Sequence, residues 1–199
     1  LVVAQVYTAR GGDAALSNST VKIFKESNGI WSLLDTPYFG NAGGGGSKPG
    51  LVVSLTDNGD YLLVGERYSD SKKGKVMLYS YDGSSNKYSL DDSLNIGGAQ
   101  IGDQAGSSVM ISRDGSCFIY GSVGGNSGTG SAHVYCKDNN GSFVLDKTLQ
   151  GTDSKSEYGF SVAIATGSNG EVVAAVGARL HDSTDKVNAG LVQVYKKLS

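Results

Sequence analysis

Tyr158 to Ala178 reads YGFSVAIATGSNGEVVAAVGA, and Gly190 to Tyr195 follows with GLVQVY. The stretch holds two apolar runs, GFSVAI and VAAVG, joined by ATGSNGE, then a third run that ends in an aromatic. Short apolar runs joined through Asn-Gly read as strands of a tight hairpin, because such a turn needs residues that accept positive φ. The same order returns upstream. Gly106 to Ile111 (GSSVMI) precedes Cys117 to Gly121 (CFIYG) and Ala132 to Tyr135 (AHVY). Gly50 to Leu55 (GLVVSL) precedes Tyr61 to Gly65 (YLLVG) and Lys75 to Tyr79 (KVMLY). Leu1 to Ala4 (LVVA) with Thr20 to Phe24 (TVKIF) repeats the last two runs alone. The copies recur about every 56 residues, a period that marks a repeat architecture.

A further run follows the aromatic-ended one in WSLLD at Trp31 to Asp35, YSLDDSL at Tyr88 to Leu94 and FVLDKTL at Phe143 to Leu149. The unit is therefore strand a, tight turn, strand b, longer loop, strand c, turn, strand d. The chain spells b-c-d, two complete units and a-b-c, which predicts fourteen strands. Strand b carries apolar groups on both faces, at Leu62 and Leu63, Phe118 and Ile119, and Ala174 and Ala175. A strand of that kind lies inside a sheet covered on both sides. Four-stranded antiparallel blades of a β-propeller meet this demand by stacking on their neighbours. The expected fold is all-β: a propeller of about four units at about 1-38, 48-94, 105-149 and 158-199, in one domain over 1-199, with incomplete first and last blades. The alternative is a β-sandwich, which would show strands polar on one face. The small residue closing strand b (Ala4, Gly65, Gly121, Gly177) suits a place where backbones crowd.

Composition bounds the function. The chain has 199 residues, 39% of them apolar, and a net charge of −2, enough to bury a core. No basic stripe is present for a phosphate backbone and no run approaches a membrane span, so nucleic acid and membrane insertion are not expected. Leu1 is neither a methionine nor part of a signal-like segment, which suggests a processed chain or a fragment.

In the third unit, aligning Gly121 with Ala132 and Ile119 with Val134 sets Cys117 opposite Cys136, within reach of a disulfide. The alternative is a pair of buried free thiols. Asn18-Ser19-Thr20 and Asn140-Gly141-Ser142 are acceptor sequons on expected loops, so Asn18 and Asn140 are candidate glycosylation sites. Disulfide and sequons together point to a secreted or cell-surface protein.

The quoted stretches resemble the FG-GAP repeats of integrin α-subunit-like propellers. YGFSVAIATGSNGEVVAAVGA followed by GLVQVY is the best copy; AGSSVMISRDGSCFIYGS with GSAHVY, and PGLVVSLTDNGDYLLVGE with GKVMLY, are weaker. The resemblance implies a propeller with more blades than the units present here, and ligand binding on the loop rim. Integrin-like copies often carry an acidic calcium loop between strands a and b. TDNGDY, SRDGSC and ATGSNGEV supply too few carboxylates for six to eight oxygen ligands, so no metal and no cofactor are expected.

No nucleophile elbow, phosphate loop or carboxylate pair stands out, and the chain is not expected to be an enzyme. His133 in strand c reads as a packed core histidine. The b-c loops and d-a crossings are long and polar and share one rim. Tyr7, Arg10, Asp13, Arg67, Tyr68, Asp70, Arg179, His181 and Asp182 are its candidate binding residues. Arg10, Arg67 and Arg179 could pair with a ligand's carboxylates or hydroxyls, or equally brace neighbouring blades. The expected function is an extracellular, non-enzymatic interaction, adhesion or structural-assembly module that binds a protein partner or further copies of the same chain. A carbohydrate-binding, lectin-like propeller is one alternative, and a non-catalytic part of a larger secreted enzyme is the other.

Overall fold

The turns between successive apolar runs fold as tight hairpins. In a computed structural model that describes residues 2–8, 18–41, 50–94 and 96–197, the strands form four antiparallel sheets in chain order. The first holds β1 (Val2–Thr8), β2 (Asn18–Ser27) and β3 (Ile30–Asn41). The second holds β4 (Leu51–Leu55), β5 (Tyr61–Glu66), β6 (Lys75–Asp82) and β7 (Lys87–Leu90), with the short β8 (Ile96–Gly97) also on β6. The third holds β9 (Ala105–Ile111), β10 (Cys117–Ser122), β11 (Ser131–Lys137) and β12 (Phe143–Gln150). The fourth holds β13 (Tyr158–Thr166), β14 (Val172–Ala178) and β15 (Leu191–Lys197). The β4–β5 and β9–β10 turns place Gly59 and Gly115 at φ of 79° and 71°, the conformation glycine accepts without strain.

One outer strand departs from expectation. The run predicted over 88–94 breaks after Leu90, where the Asp91 carboxylate accepts the Ser93 amide at 3.0 Å and turns the chain out of the sheet. Ile96 and Gly97 then return to β6 as β8, opposite Val76 and Lys75. An Asx turn has competed locally with the ladder.

The register in the third sheet pairs Cys117 with Cys136, Ile119 with Val134 and Gly121 with Ala132. Cys117 and Cys136 are joined as a disulfide with Cα atoms 4.1 Å apart.

Three apolar clusters lie between consecutive sheets. Val21, Ile23, Leu62, Val64 and Met77 fill the first gap. Leu63, Val76, Leu78, Ile111 and Phe118 fill the second. Ile119, Val134, Leu149, Ile164 and Val176 fill the third. Leu62 and Leu63 thus point into different cores, as do Phe118 and Ile119, which is what inner strands with two covered faces require. A sandwich would have one core between two sheets; this chain stacks four in series. The described residues do not close them into a ring.

A repeated joint fastens the second sheet to the third and the third to the fourth. Gly74 forms a parallel bridge with Ala105, and Gly130 forms one with Tyr158. A Cβ on Gly65 would lie 2.5 Å from the Gly106 carbonyl oxygen, and one on Gly121 would lie 1.9 Å from that of Gly159. Strand b of the second and third sheets therefore needs glycine where the next sheet's leading strand crosses it. Ser108 Oγ donates to the Gly159 oxygen at 2.8 Å and secures the crossing. On the opposite edge, Arg113 binds Asp57 at 2.6 Å, linking the hairpin turns of the second and third sheets.

In the gap between the first and second sheets Glu66 is 5% exposed, opposite Lys75 in the β5–β6 ladder. Burial raises its pKa above the ordinary 4.5, while the hydrogen bond from Tyr38 and the charge of Lys75 work the other way. The neighbouring Tyr79 phenol is pushed up to about 12, by burial and then by the Glu66 charge. A carboxyl that holds its proton more tightly folded than unfolded takes stability away as pH rises from its unfolded pKa through its folded one. Glu66→Gln, which keeps a partner for Tyr38, should flatten this slope and stabilise the chain at neutral pH. Urea unfolding in acid and at neutrality checks it; an unchanged slope would mean Glu66 is fully compensated.

Candidate functional site

From the second sheet to the fourth, backbone bonds hold the b-c loops and d-a crossings on one edge of the stack. Gly102 donates to Lys72, Gly124 to Asp103, Lys155 to Gly128 and Leu180 to Ser156, each at 3.1 Å. These loops are therefore tied to one another from the second sheet to the fourth.

The structure places the candidate residues on this edge unevenly. Arg10 and Asp13 lie outside the described residues, as do the side chains of Tyr7 and Asn18, although Tyr7 pairs through its backbone with Thr20. Arg67 donates through Nε and Nη2 to Gln104 Oε1, at 3.2 and 2.6 Å, across the joint to the third sheet. Its guanidinium also lies 4.7 Å from the Tyr68 ring centre. Asp70 pairs with Lys73 at 3.3 Å. Arg179 pairs with Glu157 at 2.5 Å and covers the Phe160 ring at 4.3 Å. Hydrogen bonding to Glu157 raises the Arg179 pKa further, so its charge is permanent. His181 lies 3.5 Å from Asp153, whose carboxylate also accepts the Asp182 amide, and Asp182 accepts that of Asn188. Arg67 thus reaches across to the third sheet, whereas Arg179 pairs within the segment of its own fourth sheet. Arg67→Ala should cost about 2 kcal/mol, the worth of a charge-assisted bond across the joint, while Arg179→Ala should cost less because its pair is exposed. Urea midpoints compare them, and equal losses would contradict the distinction. Asn140 sits in an exposed turn.

His133 is half-buried. Ser131 Oγ lies 3.0 Å from its Nε2 and Thr148 Oγ1 lies 3.3 Å from its Nδ1, while Tyr120 stacks on the ring at 4.8 Å. Burial holds it below the ordinary imidazole value, against the pull of Asp103. Among the described residues, no three His, Cys, Asp or Glu side chains gather as metal ligands, and no helix is long and apolar enough to cross a membrane.

The most distinctive surface is one that no motif indicated. In the ladders, Val76 and Ala132 oppose the joint glycines Gly65 and Gly121 and are 1% and 0% exposed. Val192 opposes Gly177 in the same way and is 68% exposed. One step along, Leu78 and Val134 are 2% and 4% exposed, and Val194 is 67%. A Cβ on Gly177 would meet the Oγ of Ser161 in its own sheet and no incoming backbone. Ser161 is the counterpart of Ser108, each facing a joint glycine in the ladder. Phe160, Ser161, Gly177, Leu191 and Val192 line an open depression of about 400 Å³ on this face. The shared Gly-x-Ser of GSS and GFS was the sequence signal; its meaning needed the contact between sheets.

No family model matches the chain, and no curated protein matches it. The FG-GAP resemblance thus stays at the level of the quoted motifs. Among solved structures, TolB from Acinetobacter baumannii is similar at 16% identity with a TM-score of 0.39, over 90% of this chain and 38% of that one. This chain spans well under half the length of that protein.

Proposed function

We propose that this chain is a non-catalytic, extracellular protein-binding module whose sheets are blades of a β-propeller, with the outer face of the fourth sheet as its docking surface. One observation carries the reading: that face repeats the third sheet's joint to the fourth, with glycine, serine and apolar positions in register, and among the described residues nothing covers it. Two neighbouring exposed valines beside a partly exposed phenylalanine form an apolar patch of the kind that marks an interaction surface. The internal joints specify the occupant. It is another unit of this same repeat, led by a strand that starts with a small or aromatic residue followed by glycine at positive φ. Ala105-Gly106 and Tyr158-Gly159 are the internal examples, with φ of 79° and 89° at the glycines. The disulfide and the Asn140 sequon support an extracellular setting. Of the rim residues, Arg67 serves this reading by bracing the second sheet against the third.

A lengthened chain tests it. Residues 138–197 appended directly after Lys197 would complete the fourth sheet with an outer strand and add a fifth leading strand. The added unit should dock and resist proteolysis as well as the rest of the chain. Gly177→Val in the same lengthened chain should release it to cleavage, because the side chain would occupy the crossing. Rapid cleavage of the added unit without that substitution would overturn the proposal.

A further inference from the structure

Between the crossing that follows β8 and the start of β11 lies a cavity of about 220 Å³, several times the roughly 30 Å³ of one liquid water. It stands on the loop edge, apart from the outer face of the fourth sheet. Asp103, Ser122, Asn126, Ser131, His133 and Thr148 are among its lining groups. Ser122 is 4% exposed, and among the described residues its hydroxyl makes no hydrogen bond. A buried polar group without a partner needs an explanation, and this one lines a space that could supply a partner. One carboxylate oxygen of Asp103 accepts the Gln100 amide at 2.8 Å, and the other is unengaged among the described residues.

The lining selects the ligand's charge and shape. Among the described residues Asp103 is its one carboxylate and no Lys or Arg lines it, and burial lowers the His133 pKa, so an anion is disfavoured. The polar groups are hydroxyls, the side-chain amides of Asn126 and Gln150, an imidazole and a carboxylate, which between them donate and accept at close spacing. Such a set matches a molecule whose neighbouring hydroxyls do the same. Both ring nitrogens of His133 face hydroxyls, and no carboxylate orients the ring, so the Ser131–His133 pair lacks the third member of a hydrolytic triad. The cavity suits binding rather than chemistry. We infer that it is a binding site for a neutral, polyhydroxylated molecule of monosaccharide size, with Ser122 and Asp103 as the hydrogen-bonding pair that defines it.

The test uses the whole chain. Glucose, galactose, mannose, N-acetylglucosamine and glycerol are titrated separately, with sodium phosphate as the anionic comparison, while the backbone amide signals of Gly125, Asn126 and Ser131 are followed by NMR. At least one of the polyols should shift these signals saturably. Ser122→Ala and Asp103→Asn should each weaken that binding about tenfold, the cost of one good hydrogen bond to a buried or charged group. Ser122→Ala removes a hydroxyl that bonds to nothing in the described chain, so its thermal midpoint should not fall. Absence of any saturable shift would mean a water-filled cavity and overturn the inference. So would binding that both variants leave unchanged, or a stronger response to phosphate.

Discussion

Gly121→Ala should destabilise the chain by about 3 kcal/mol or more, at the upper end of what overpacking costs. The added methyl would lie 1.9 Å from the Gly159 carbonyl oxygen, which is backbone of the neighbouring sheet and cannot rotate away. Relief requires moving β13 off β10, which opens the core that holds Ile119, Ile164 and Val176. Gly177→Ala is the matched control, at the same place in the fourth sheet. Its methyl would meet Ser161 Oγ at 2.3 Å, and a serine can change rotamer. That variant should lose less than about 1 kcal/mol, in line with substitutions outside tightly packed features. Urea unfolding of the two proteins gives the comparison. Equal losses would show that the cost arises within a strand rather than between sheets.

Removing the disulfide should have the second large effect. Cys117 and Cys136 are 19 residues apart, and the chain-entropy estimate for such a loop is about 3 kcal/mol. Cys117 is 3% exposed and packs in the third core, so Cys117→Ala with Cys136→Ala loses apolar contact as well. Unfolding of the wild type with and without reductant, beside the double variant, separates linkage from packing. If reduction alone leaves the midpoint in place, the bond contributes nothing, and its support for an extracellular setting falls with it.

Much of the sheet order was legible because it rests on local signals. Asn-Gly and Asp-Gly steps marked the hairpins, and the equal index sums of Gly121 with Ala132 and Ile119 with Val134 set the cysteine pair. Apolar groups at both Leu62 and Leu63 announced a strand covered on two sides, and they do enter two cores. The break at Asp91 was not legible, since an aspartate within a strand-like run shows only in three dimensions whether it caps a turn.

The sites were harder to read because their partners are remote in sequence. Arg67 reaches Gln104 across a joint, and no local pattern distinguishes that contact from a free guanidinium on a rim. Val192 and Val76 occupy equivalent ladder positions and read alike as sequence; only the presence of a following sheet separates 68% exposure from 1%. Ser122, Asp103 and His133 come from three different segments, and their shared cavity exists because the loops of the second and third sheets meet.

Thiol accessibility on the fourth sheet bears most directly on the uncovered joint. Neither native cysteine is free, so a single introduced cysteine reports its own position. Val192→Cys should react with a maleimide rapidly in the native chain, and Val76→Cys should react only on unfolding. In the chain lengthened by residues 138–197, Val192→Cys should become as protected as Val76→Cys. A protected Val192→Cys in the native chain, or one that stays reactive after lengthening, would contradict an open joint that accepts another unit of the repeat.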